Sequence, residues 1–124
     1  MVVYRKSNLI NSDGYDLDQL KDEADVLEIS LVDKDNKRLL IKFDSYFTYR
    51  KIHESFALQI IDLLSDQSML PSTLVEAENS DYVQWFKTEG DGIVSDIQIK
   101  HYLVLTINSI IEVLTDETPT VTEI

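Results

Sequence analysis

Two histidines are the first candidates for chemistry in this chain. His53 is followed directly by Glu54, and such a pair could perform acid–base catalysis. Neighbouring residues of a strand point to opposite faces, however, so the two groups diverge unless the strand ends there. His101 precedes Tyr102 at the start of an apolar segment, where a histidine is expected to be buried and hydrogen-bonded. The sequence therefore favours structural over catalytic roles for both histidines.

Other chemistries lack the residues that they need. The chain has no cysteine, which excludes a thiolate nucleophile, a thiolate zinc site and a disulfide. Its acids show neither the spacing of a calcium loop nor that of a two-histidine, one-carboxylate site. Glycine-rich phosphate loops and the G-x-S-x-G motif are also absent from the sequence. We therefore expect no metal site, no cofactor and no enzymatic activity.

The negative charge is concentrated in the second half of the chain. Residues 1–51 carry a net charge of -1, whereas residues 52–124 carry 13 acids and two bases, Lys87 and Lys100, for a net charge of -11. Such a surface repels nucleic acid and anionic membranes and attracts basic proteins. The six tyrosines could form a base-stacking platform, but the one basic cluster is Arg50-Lys51, so a core role is favoured for them. The sequence predicts a basic protein partner.

Charged side chains in loops and on polar helix faces are the candidate partner-binding residues. Trp85 belongs with them, because a large aromatic residue among acids is typical of a protein-binding hot spot. The same residue type is typical of a core-facing helix, and core is favoured for Trp85 or Phe86, with one of the two at the rim. The complete candidate set is Asp81, Glu89, Asp91, Asp96, Trp85, and, as a second cluster, Asp62 and Asp66.

Length and composition indicate one domain of 124 residues with 44% hydrophobic content. The first residues lack the features of a secretory signal, and no apolar run reaches the roughly 18–20 residues that span a bilayer. With the absence of cysteine, this favours a cytoplasmic protein without membrane contact. The polar end segments 1–15 and 117–124 are expected to be frayed.

Hydrophobic periodicity places the structural elements around these candidates. Alternation of apolar and polar residues predicts a β-hairpin over residues 26–44, and β-branched and aromatic residues favour a strand at 46–53. Residues 54–65 change to a helical period, with Ala57, Ile60, Ile61 and Leu64 on one face. Residues 16–23 suit a weak helix or a loop.

The remaining segments complete the fold class. Residues 73–78 form a plausible strand, and Asn79-Ser80-Asp81 supplies capping residues for a second helix that ends near Gly90. Residues 99–115 suggest a hairpin around Asn108-Ser109. If Ile107 pairs with Ile110, then Tyr102 and Val104 share a face with Ile111 and Val113, and both faces are largely apolar. We therefore predict an α+β domain, in which an antiparallel sheet of about five to six strands contains both hairpins and packs against two helices.

Three segments also resemble a known group of proteins. The stretches YRKIHE, VEAENSDYVQWFKTEGDGI and IKHYLVLTINSIIEVLT, followed by Pro119, resemble small bacterial proteins encoded beside toxins. These include the immunity proteins of polymorphic and contact-dependent toxin systems, and the resemblance covers about residues 40–119. It implies a non-enzymatic inhibitor that binds and occludes a cognate toxin domain. Two alternatives remain: an acidic surface that only confers solubility, and a small-molecule or scaffold module with an aromatic pocket.

Overall fold

The computed structural model describes residues 1–92 and 97–124, and within them the chain forms nine strands and two α-helices. The helices are α1 (Leu58–Asp66), which follows a 3-10 turn at Glu54–Phe56, and α2 (Asp81–Glu89). The strands are β1 (Val3–Lys6), β2 (Asp16–Glu23), β3 (Val26–Val32), β4 (Arg38–Phe43), β5 (Thr48–His53), β6 (Leu74–Glu78), β7 (Lys100–Leu105), β8 (Ser109–Thr115) and β9 (Thr120–Glu123). The predicted α+β class is confirmed.

The strands divide into two antiparallel sheets. The five-stranded sheet has the order β1-β6-β7-β8-β5, and the four-stranded sheet has the order β2-β3-β4-β9. Both predicted hairpins are present, as β3–β4 and β7–β8, but the expectation that they share one sheet is wrong. β7 and β8 are apolar on both faces and are covered on both, whereas β3 and β4 bury only alternate residues.

Two hydrophobic cores lie on either side of the five-stranded sheet. The first fills the space between the two sheets, and the second packs α1 onto the outer face of the five-stranded sheet. Principal members of the first core are Leu27, Ile29, Leu31, Ile41, Phe43, Tyr102, Val104, Ile111 and Val113. Those of the second are Tyr4, Ala57, Leu64, Val75, Leu103, Leu105 and Ile110. The molecule is therefore layered as sheet, sheet and helix.

The β7–β8 hairpin has a longer turn than the sequence suggests. Leu105 pairs with Ile110, so the expected pairing of Ile107 with Ile110 is wrong. The Thr106 side chain closes the turn, because its Oγ1 donates to the Ser109 carbonyl at 2.8 Å and accepts from the Ser109 N–H at 3.0 Å. The register differs by two residues, which preserves the faces. Tyr102 and Val104 therefore share a face with Ile111 and Val113 of β8, as predicted.

Residues 16–23 form strand β2, so the prediction of a weak helix or loop is wrong. Leu17 lies opposite Leu31 and Leu20 lies opposite Ile29, and the register shifts between Leu17 and Gln19. This β-bulge accommodates Asp18 as an extra residue and directs two leucines that are three positions apart toward the same core. A three-residue spacing is typical of a helix, which is why the sequence was ambiguous.

The end segments expected to be frayed each contain a paired strand. β1 pairs with β6 and buries Tyr4, and β9 pairs with β4 and packs Val121 against the core between the sheets. One apolar residue is sufficient in each strand because the neighbouring strand satisfies its backbone groups. Neither helix in the described part of the chain has the length and apolar character needed to cross a bilayer.

Candidate functional site

Both helices lie on the outer face of the five-stranded sheet. Alternation along β7 places His101 on the same face as Leu103 and Leu105, which contact the α1 layer. The α2 residue Tyr82 packs edge-on against His101, with ring centroids 5.6 Å apart. The two helices, α1 and α2, form a helical layer that covers the sheet beside His101. The candidate site lies in this region.

A buried polar network lies beneath this layer. Glu112 of β8 accepts from Arg50 Nε of β5 at 2.5 Å through Oε2, and its Oε1 lies 2.9 Å from His101 Nε2. His101 Nδ1 is 2.7 Å from the Oγ of Ser80, which precedes α2. The side chains of His101 and Glu112 are 2% and 4% exposed. The prediction that His101 is buried and hydrogen-bonded is therefore confirmed.

The network keeps the Glu112 carboxyl ionised. Burial on its own would raise the pKa of Glu112, but the hydrogen bonds and positive charge supplied by His101 and Arg50 outweigh it and hold the pKa below its ordinary value. An ionised carboxylate can only accept hydrogen bonds, so the Nε2 nitrogen of His101 donates to Glu112. The Glu112 carboxylate is thus a buried anion with a partner on each oxygen.

Ser80, His101 and Glu112 form a hydrogen-bonded series of the kind that also occurs in the active sites of hydrolases, but Ser80 has a different role here. Its Oγ accepts from the Val83 N–H at 3.3 Å and is the N-cap of α2, and the residue is 5% exposed. The hydroxyl therefore already satisfies a helix terminus and His101. This arrangement favours a structural role, in which the network fixes the start of α2 on the sheet.

His53 caps the 3-10 turn that precedes α1. Its Nδ1 accepts from the Ser55 N–H at 3.2 Å. The ring packs edge-on against Phe56 at 6.2 Å. The adjacent Glu54 is the first residue of this turn, and its backbone N–H donates to the Asn108 carbonyl at 3.0 Å. The geometry therefore accounts for the His53-Glu54 pair without catalysis.

An aromatic stack connects the buried network to the surface of α2. The Arg50 guanidinium carbon lies 4.0 Å from the centroid of the Tyr82 ring, and Tyr82 stacks on Trp85 with centroids 5.7 Å apart. Phe86 stacks on Phe47 at 5.5 Å and is partly buried. Trp85 is 51% exposed. Of the two aromatic residues weighed between core and rim, Phe86 is therefore the packed one and Trp85 lies at the rim.

The described partner-binding candidates are exposed and lie in two groups. Asp81 and Glu89 are four residues before and after Trp85 on α2, and Asp91 follows that helix. Asp62 and Asp66 are neighbours on α1. In the part of the chain that the structure describes, none of these five acids forms an ion pair with another side chain. The remaining candidate, Asp96, lies outside the described residues.

Sequence reasoning missed the contribution of Arg50, Ser80 and Glu112 to the site. Their hydrogen bonds join three strands and a helix cap that are far apart in the chain. One signal was visible: Glu112 is a lone acid within the apolar segment IIEVL, and a charge in a buried strand requires a partner. The partner itself cannot be identified without the strand order.

A cavity of about 420 Å³ opens between α1 and α2 above the buried network. Its lining includes two tyrosines, an apolar residue of α1 and three side chains of the network: Tyr4, Tyr82, Ile60, Arg50, His101 and Glu112. No group of three or more potential metal ligands occurs among residues 1–92 and 97–124. The cavity can thus accommodate an organic molecule or a partner side chain.

Comparisons with known proteins return no match to a family model, to a curated protein or to a solved structure. The features of the molecule that bear on function are the helical layer, the buried network and the cavity.

Proposed function

We propose that this chain is a non-enzymatic, immunity-type inhibitor that acts in the bacterial cytoplasm by binding and occluding a basic toxin domain. The observation that carries the proposal is the charge of the helical layer. Residues 54–66 and 79–92 contain six acids and a single base, Lys87, and all seven side chains are exposed. Trp85 adds an exposed aromatic side chain to the same layer.

The distribution of ion pairs strengthens this charge asymmetry. Five cations of the first half form ion pairs within the chain, through contacts such as Arg5–Glu78, Arg38–Asp18 and Arg50–Glu112. The acids on the outside of the helices have no such partner in the described residues. Their field is therefore directed toward solvent, where it accelerates encounter with a basic protein. Rapid capture suits an inhibitor whose target is lethal.

Reversing charge on the helical layer is expected to slow this capture. The double change Asp81→Lys and Asp91→Lys should reduce the association rate for the toxin by about tenfold at low salt and should weaken its salt dependence. The melting temperature should fall only modestly: both side chains are exposed, but Asp81 lies in the first turn of α2, where an acid is favoured, and Asp91 has a positive φ. The measurement is stopped-flow or surface-based kinetics with the product of the neighbouring gene, after co-expression has shown rescue from toxicity.

A matched control is available on the opposite side of the molecule. Asp25→Lys and Asp35→Lys make the same change in net charge at exposed positions of the β2–β3 and β3–β4 turns, and Asp25 has a positive φ like Asp91. This control should retain nearly normal association. If both double variants slow association equally, only the net charge of the protein matters. If the association rate depends neither on salt concentration nor on either double change, electrostatic capture is excluded.

The second candidate function, a small-molecule module, is favoured by the cavity between the helices. If a metabolite binds there, filling the cavity by Ile60→Trp should abolish the rise in melting temperature that the compound produces on the unmodified protein. Neutralisation of the toxin should persist in this variant, because Trp85 and the exposed acids are unchanged. Screening compounds by thermal shift would test this, and an unaltered shift in Ile60→Trp would exclude the cavity as the site.

A further inference from the structure

The side chain of Trp85 is exposed but firmly held. One side of its indole is stacked against Tyr82, which is 4% exposed and whose hydroxyl donates to Thr48 Oγ1 at 3.3 Å. Tyr82 in turn packs against Arg50, which is bound to Glu112. The buried network thus supports the indole from beneath. A rigid aromatic side chain loses little entropy on binding, which is the property of an interface anchor.

Two acids flank this indole on the same helix. Asp81 and Glu89 are at positions i-4 and i+4 relative to Trp85, and side chains at these spacings are neighbours on a helix surface. Lys87, two positions from Trp85, does not face it. The exposed helix face thus consists of an acid, an aromatic platform and a second acid. Its charge and shape fit a planar cation.

We propose that Trp85 is the platform for an arginine side chain of the protein partner, whose guanidinium stacks on the indole and pairs with Asp81 or Glu89. This inference rests on the proposed function and specifies the chemistry of its partner. Arginine is preferred to lysine because its planar guanidinium stacks on aromatic rings and binds carboxylates through two donors. The chain already contains such an arrangement internally, since Arg50 stacks on Tyr82 and pairs with Glu112.

The test uses two capped hexapeptides, one of alternating arginine and glycine and one of alternating lysine and glycine. Trp85 is the single tryptophan of the sequence, so its fluorescence reports directly on the platform. The arginine peptide should change the Trp85 emission and bind about two- to fivefold more tightly than the lysine peptide. Binding of labelled peptides to variants is followed by anisotropy.

Two variants separate the platform from general attraction. Trp85→Leu should remove the preference for arginine while leaving weak, salt-sensitive binding of both peptides. Asp81→Asn with Glu89→Gln should weaken the arginine peptide more than the matched pair Asp62→Asn with Asp66→Asn on α1, which removes the same charge. Circular dichroism establishes that each variant is folded.

The possible results distinguish this inference from the function on which it rests. If both peptides bind with equal, salt-sensitive affinity and Trp85 emission does not change, the arginine platform is overturned. Capture of a basic partner would remain supported by that result. If neither peptide binds at low salt, both the arginine platform and electrostatic capture of a basic partner are contradicted. The platform would also be overturned if the Trp85→Leu variant rescued cells from the toxin at the normal level and still preferred the arginine peptide.

Discussion

Replacing Arg50 by methionine is expected to lower the free energy of unfolding by about 2 kcal/mol, because it leaves the buried Glu112 carboxylate with His101 as its remaining partner. The loss is smaller than for a fully buried pair because the Arg50 side chain is 50% exposed. Methionine keeps an unbranched apolar stem but removes the guanidinium that lies over the Tyr82 ring, so the loss reports on the charged group rather than on the stem. Urea unfolding at neutral pH measures the effect. The control is Arg38→Met, which removes an exposed ion pair with Asp18 and should cost less than about 1 kcal/mol.

The pH dependence of stability provides an independent check on the same network. The pKa of Glu112 is lower in the folded protein than in the unfolded chain, so its contribution to stability is present above the ordinary value of 4.5 and disappears as the pH falls through the folded pKa. The stability difference between the native protein and Glu112→Gln should therefore be largest near neutrality and shrink below about pH 4.5. A difference that stays constant on acidification would show that the carboxylate is not stabilised by its partners.

Truncating Leu64 to alanine should cost about 2–5 kcal/mol, the second large effect expected for this fold. Leu64 is fully buried in the core beneath α1, and its removal leaves a cavity that the five-stranded sheet cannot fill. Ile60→Ala is the matched control on the same helix face. Because Ile60 is partly exposed, its truncation should cost only about 1–2 kcal/mol.

Helical periodicity alone places Ile60, Ile61 and Leu64 on one equivalent face and predicts a large loss at each. The structure distinguishes them, because only Leu64 of the three is fully buried. Chemical denaturation of Leu64→Ala and Ile60→Ala measures the difference. Equal losses would mean that α1 packs on the sheet in a different rotation from the one described.

Elements with strong local patterns could be predicted from the sequence. The alternation of Leu27, Ile29 and Leu31 identified β3, and the capping hydroxyl of Ser80 identified the start of α2. These signals depend on near neighbours in the chain. The division into two sheets could not be predicted, because it depends on which faces of distant strands meet. Strand β2 was missed for a local reason, since the bulge at Asp18 converts a period of two into a spacing of three.

The candidate site was only partly visible for the same reason. Counting charges along the sequence identified the exposed acids on α1 and α2, because recognising a surface charge requires no knowledge of tertiary contacts. The support of Trp85 by Tyr82 and Arg50 depends on the position of β5 next to β8 in the sheet. No sequence pattern links residue 50 to residue 82. A lone buried acid such as Glu112 indicates that a network exists, and the fold is needed to name its members.

The bulge in β2 and the shortness of two other edge strands limit how copies of this chain can pair through their sheet edges. The edges of the two described sheets are β1, β5, β2 and β9, and of these β1 and β9 have four residues each. In β2, Asp18 interrupts the regular row of backbone donors and acceptors. A second copy could therefore add few continuous hydrogen bonds at these three edges, which disfavours growth of the sheets into fibrils. Of the four edges of the described sheets, β5 alone offers a continuous row of six residues, so edge-to-edge pairing of two copies is confined to that strand.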